Sequence, residues 1–340
     1  KKMKKKIFAI LSIVLIVVLA CSVAACTPAT MFDGKYTKEA SAEEAKSKWD
    51  GAATAMSGDT ASKMATSVGN SSQVNGWTGI KMAASNKVDV SVVENDETKS
   101  MLMDMKASGA FLFDGSAMAI TGSQKATTVI DEERNTDLKL GVYGKDKTSY
   151  FDLGVGENNV KVKLGEKPSL LDGALESVLA TMSKQFVTLA TSAVTGIVCE
   201  MTYDDIVKEY GDGFKAYVND NGNYNRIKYV FTKEMVCDLA DYVTSDLEEE
   251  FLKAATFGEC SMILVFDKET NTFQGAKLQL NYDFNFKDEA NKGAFSLKIN
   301  TSASIENCEK VDMPSNFDDY KEIKDISQED IDKILEGITY

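Results

Sequence analysis

The chain contains no histidine at all. That single absence excludes Ser-His-Asp and Cys-His nucleophilic catalysis, His-rich zinc sites and imidazole acid–base chemistry. There are only three prolines, and no Pro-rich or long Ser/Gly linker interrupts the chain. None of the cysteines forms a CxxC pair, so metal and redox motifs find no support. GxGxxG and P-loop patterns are missing as well. Carboxylate-only hydrolysis stays open in principle, but no acid pair sits in an apolar context that would raise a pKa. The reading is therefore of a non-enzyme with no catalytic residues, no metal site and no cofactor.

What is present begins with a leader. Five lysines lie in the first six residues, and the run from Ile7 to Leu19 carries no charge. This is a basic n-region followed by an apolar h-region of signal-peptide length. The run is too short for the ~20 apolar residues of a spanning helix, although extension to Ala25 would make an uncleaved anchor. At its end stands Val23-Ala24-Ala25-Cys26. The segment resembles the lipobox of bacterial lipoproteins, in which a cysteine preceded by small residues receives a diacylglycerol and becomes the first residue of the mature chain. The resemblance implies cleavage after Ala25, lipidation of Cys26 and a place on the outer face of the plasma membrane. Cys21 follows Leu19-Ala20, with a bulky leucine where a small residue is preferred, and falls in the discarded leader. An ordinary secretory signal with an incidental cysteine is the alternative. Two acyl chains anchor where one cannot, since each buried methylene contributes ~0.8 kcal/mol.

Removing residues 1–25 leaves 33 basic and 52 acidic residues, a net charge of −19. Such a surface repels nucleic acid and anionic headgroups, so none is expected as a partner, and membrane contact falls to the acyl chains. Four cysteines remain beyond Cys26: Cys199, Cys237, Cys260 and Cys308. They allow two disulfides or four free thiols that pack as small hydrophobes.

Along the chain, 26–40 reads as a tether. Ser41 followed by Glu44 has capping-box spacing and predicts a helix to about Met56, with a second piece near Thr60–Ser67. The period then changes to two. Ile80, Met82, Ala84, Asn86, Val88, Val90 and Val92 alternate with mostly polar residues, as do Met101, Met103, Met105, Phe111 and Phe113, with a turn at Glu94–Thr98. Shorter strands are expected at Ala117–Thr121, Leu138–Tyr143, Thr148–Leu153 and Asn159–Leu164, with Asp131-Glu132-Glu133 as a solvated loop. A helical insertion is expected over 168–254: a helix from Leu170, a short one at Tyr203–Glu209, a hairpin (Phe214–Val218 and Arg226–Phe231) and a helix from Thr232. Strands return at Ser261–Phe266, apolar on both faces, at Leu278–Phe286 and at Phe295–Ile299. Residues 313–340 read as an acidic end with a helix at Gln328–Leu335. Asn219–Asn223 fails the calcium-loop pattern and reads as a turn. Trp49 and Trp77 read as core.

Short hairpin links imply antiparallel pairing, and one apolar face per strand implies a sheet covered on one side by the helices. An α+β chain over 41–312 with this element order resembles the LolA and LppX-LprG group of lipoprotein and lipid carriers, whose strongly curved antiparallel sheet forms a half-barrel packed on helices. It also resembles surface lipoproteins of Gram-positive bacteria. A β-sandwich with decorating helices fits the same string. The carrier resemblance implies an apolar ligand between sheet and helices, lined by the pliable stripe Met101, Met103 and Met105 with Met82, Phe111 and Phe113. The competing expectation is a protein-interaction module, with an envelope protein as partner and the same residues filling its own core.

Overall fold

The computed structural model describes residues 30–57, 63, 73–94, 97–129, 133–145, 148–165, 197–199, 201–220, 222–237, 255–288, 293–322, 325–327, 329–330 and 332. The leader with Cys26, the helix expected from Leu170 and most of the helices expected at Thr60–Ser67, beyond Cys237 and at Gln328–Leu335 lie outside these residues.

The described residues form mostly one large antiparallel sheet with few helices. Its strands are β1 (Lys38–Glu39), β2 (Gly79–Glu94), β3 (Glu97–Leu112), β4 (Ala117–Val129), β5 (Glu133–Lys145), β6 (Thr148–Val155) and β7 (Asn158–Gly165). They continue with β8 (Lys215–Asn219), β9 (Tyr224–Val230), β10 (Ala255–Phe257), β11 (Ser261–Asp267), β12 (Phe273–Asp288), β13 (Gly293–Asn307) and β14 (Lys321–Glu322). Spatial order is β1-β8-β9-β11-β12-β13-β2-β3-β4-β5-β6-β7-β14, with β10 beside the far part of β12. The central joint is long-range: β13 lies antiparallel to β2 from Asn307↔Ile80 to Ala294↔Val93. Successive hairpins then build outward, β2 to β3 closing at Glu94↔Glu97 and β4 to β5 at Val129↔Glu133.

Strands β4 and β5 run well past the segments expected for them. Beyond Thr121 the sequence Gly-Ser-Gln-Lys-Ala-Thr-Thr is polar on both sides, so period-two patterning fades there. Backbone pairing carries the strand on, because β3 offers partners to Val129. Glu133, expected in a loop, is the first residue of β5.

Helix α1 (Ala42–Ala55) starts where the capping signal put it: the Ser41 hydroxyl accepts from the Glu44 amide N–H at 3.1 Å. It lays Ala45, Trp49 and Ala52 on one face of the sheet, called the inner face here. Trp49 is fully enclosed, 5.0 Å from the Tyr229 ring and 6.0 Å from Phe214, both edge-to-face. Its indole N–H donates to the Met201 carbonyl, and the Tyr229 hydroxyl to that of Ala45. Burial pushes the Tyr229 phenol well above its ordinary pKa, so it remains a donor. Helix α2 (Tyr203–Tyr210), capped by Thr202, adds Tyr203 and Ile206 to this core.

Both ends of the fold dock on the sheet, although 26–40 and 313–340 read as tether and acidic tail. Thr30–Phe32 makes a 3-10 turn that seats Met31 and Phe32 on the outer face against Ile263 and Val265. The Arg226 guanidinium Nε donates to the Met31 carbonyl at 2.6 Å. This explains why β11 is apolar on both faces: α1 and its core cover one side and the N-terminal turn the other. At the opposite edge β14 pairs parallel to β7, and Phe317 and Tyr320 pack on Tyr150 at 4.2 and 5.3 Å. Each outermost strand is thus a two-residue Lys-Glu piece that ends the sheet with charge.

Cys260 and Cys308 are free thiols. Cys260 and Cys308 are buried, and burial raises both thiols, Cys308 to about 12. Among the described residues no helix is long and apolar enough to cross a membrane.

Candidate functional site

Register places Met82, Met101, Met103, Met105 and Phe111 on the inner face, Phe113 just beyond β3 packs into the same core, and packing divides the six into two sets. Met82, Phe111 and Phe113 are fully enclosed in the large core under α1, with Ile80, Ile305, Met262 and Leu264. Met103 and Met105 belong to a separate cluster farther along the same strands, with half-buried Met101 packed against it. Their companions there are Val88 and Val90 from β2, Phe284 from β12, and Phe295 and Leu297 from β13. The sequence reading missed these companions as site residues, although the same alternation that revealed their strands put them on this face. Phe257 and Tyr282 pack against both clusters, their rings 5.6 Å apart. Burial holds the Tyr282 phenol neutral by raising its pKa.

Between the clusters lies a polar seam. Asn86 is 1% exposed and pairs across the ladders with Met105 and Thr301. Its side-chain oxygen accepts from the Thr301 hydroxyl at 3.2 Å, while its amide nitrogen is buried without a partner. Exchanging the amide's oxygen and nitrogen would still leave one polar atom unmatched. A buried unmatched donor costs about 1–3 kcal/mol unless something polar reaches it. Small residues flank the seam: Ala84 and Ala303 beside Asn86 on β2 and β13, Gly109 and Gly122 across β3 and β4. The face is therefore an apolar floor in two parts, with a narrow polar strip and little side-chain bulk at the join. Chemically such a surface can hold a chain-like apolar molecule bearing one polar group.

The face continues onto β5 and β6, where Leu138, Leu140, Phe151 and Leu153 are half-buried. On the outer face Lys81 meets Glu306 at 3.2 Å, and burial keeps that carboxyl above its ordinary pKa despite the ammonium.

No family model matches the chain, and no curated protein matches it significantly. Solved structures do align over most of its length. A DUF1329 family protein from Desulfovibrio piger is 9% identical, covering 73% of this chain and 88% of its own, at a TM-score of 0.13. The translocator domain of the autotransporter NalP from Neisseria meningitidis is 9% identical, covering 76% and 98%, at 0.18. A domain described as an outer membrane lipoprotein-sorting protein from Vibrio parahaemolyticus is 7% identical, covering 75% and 91%, at 0.12.

Proposed function

We propose that this chain is an extracytoplasmic lipoprotein, non-enzymatic, anchored by diacylglycerol on Cys26, that binds or carries a lipid-like or other apolar ligand on the inner face of its sheet. In this reading the sheet curves as a half-barrel of the LolA and LppX-LprG kind around that ligand. The observation that carries it is the divided inner face: a methionine-lined cluster, set apart from the main core, adjoins a buried amide with an unused donor. Methionine adapts to varied apolar guests, and an unmatched amide can receive a ligand's single polar group. The N-terminal turn fits the anchor. The five Cα–Cα steps from Cys26 to Met31 span at most about 18 Å, so a lipidated Cys26 holds the β8-β9-β11 end of the sheet at the bilayer.

A second reading has its own support. Met82, Phe111 and Phe113 are wholly enclosed by neighbouring side chains, as in a protein-interaction module whose core is filled by its own residues.

Full-length protein purified from membranes tests both. Radiolabelled palmitate is expected to enter the wild type and not Cys26→Ser. Mass spectrometry of an organic extract is expected to show co-purified lipid beyond the covalent anchor. A labelled protein with no such lipid sinks the carrier and leaves the interaction module; an unlabelled, unprocessed chain sinks the anchor.

A further inference from the structure

At the rim of the large core, away from the methionine cluster, a groove of about 280 Å³ opens between the C-terminal half of α1, the 73–77 loop and the turn from β11 to β12. Three features define it. Gly51 sits inside helix α1, where glycine is less favourable than alanine by ~1 kcal/mol. Packing does not require it: a Cβ there would come no nearer than 3.5 Å to the Phe266 ring, an ordinary contact, and would occupy the groove. The missing side chain keeps the floor open. Second, Asn75 (φ 51°) and Asn271 (φ 56°) are the two non-glycine residues with positive φ among the described residues, and both line this groove from facing loops. Both are turn residues: Asn75 and Gly76 form the two-residue turn closed by the Val74–Trp77 pair, and Asn271 lies in the β11–β12 turn.

Third, Lys48 reaches into the groove with its ammonium 4.4 Å from the Phe266 ring centre, donating to the Asn271 side-chain oxygen. Among the described residues no carboxylate forms an ion pair with it. The nearest acid acting on it, Glu44, lies one helical turn back. Partial burial lowers its pKa. An oxyanion is the partner that such a group lacks. Around it the walls include Ser47 and Thr272, which carry hydroxyls, and the aromatic residues Trp77 and Phe266.

We propose that this groove binds a small acidic polyol, a sugar-sized unit carrying a carboxylate or a phosphate, with Lys48 on the oxyanion and the Ser47, Thr272 and Asn271 side chains on the ring hydroxyls. The volume lies near the lower end for small-molecule pockets and fits one such unit. The site is independent of Cys26 and of any apolar ligand on the inner face.

The test titrates the detergent-solubilised full-length protein with glucuronic acid, glucose 6-phosphate and neutral glucose. Calorimetry reads affinity, and tryptophan fluorescence follows Trp77. At least one acidic sugar is expected to bind saturably, about tenfold or more tighter than glucose; whichever binds better tells carboxylate from phosphate. Lys48→Gln removes the preference. Gly51→Ala separates a site from plain structure: it raises Tm by improving the helix, yet weakens the acidic sugar about tenfold or more. Absence of saturable binding by both acidic sugars overturns the proposal, as does binding that both variants leave unchanged.

Discussion

The same strands build two different environments on one face of the sheet. Under α1, helix and strands supply interlocking rings (Trp49, Phe214, Tyr229, Tyr203), and Met82 has no exposed surface. One seam further along, Met103 and Met105 are held by aliphatic and phenylalanine neighbours, and Met101 is only half-buried. The residue type and the strand alternation are alike in both. Among the described residues, α1 packs on the first cluster and not on the second. A strand's periodicity determines which way a side chain points, whereas its rigidity comes from what packs against it.

The sharpest way to break this comparison is a matched truncation. Met82→Ala is expected to cost near the top of the ~2–5 kcal/mol range for deleting a buried methionine, and Met105→Ala near the bottom, by urea denaturation. Equal losses would erase the distinction between the two clusters. The seam gives the next effect. Replacing both partners, Asn86→Leu with Thr301→Val, removes an unmatched amide and is expected to leave stability unchanged or raise it by about 1 kcal/mol. A substantial loss would mean that the amide is satisfied in the folded protein. Close to this in size, Ser41→Ala removes the cap of α1 and is expected to cost ~1 kcal/mol, loosening only the helix-covered end as seen by hydrogen exchange.

The smallest effect is a pH slope on the outer face. Burial raises the Glu306 carboxyl, so the folded state holds that proton more tightly than the unfolded chain does. Stability then falls as pH rises from the ordinary carboxylate value through the raised one. Comparing Tm against pH for wild type and Glu306→Gln should show this slope in the former alone; parallel curves would place the controlling group elsewhere.

Much of the architecture was legible before any coordinates. The Ser41 cap, the two long strands from Ile80 and Met101 and the hairpin around Asn219–Asn223 match α1, β2, β3 and the β8–β9 pair to within a few residues. These features are local: caps act over three residues and alternation over two. The extent of β4 and β5 was not legible, because their outer halves are polar on both faces and are strands through neighbouring backbone alone. The candidate face was half legible. Its methionines were visible, yet the amide at position 86 looked like one more inward residue in an apolar row until burial showed that its nitrogen lacked a partner.

By itself, then, the sequence determined the chemistry excluded by having no histidine, the acidic surface, the direction in which each strand faces and where α1 begins, since each depends on composition or on residues a few positions apart. Tertiary structure alone decided that both ends of the fold dock on the sheet, that one stripe becomes two clusters, and that Gly51, Asn75 and Asn271 meet around Lys48. Those outcomes depend on partners some 20 to 230 positions apart in the chain, brought together only when the sheet closes β13 against β2.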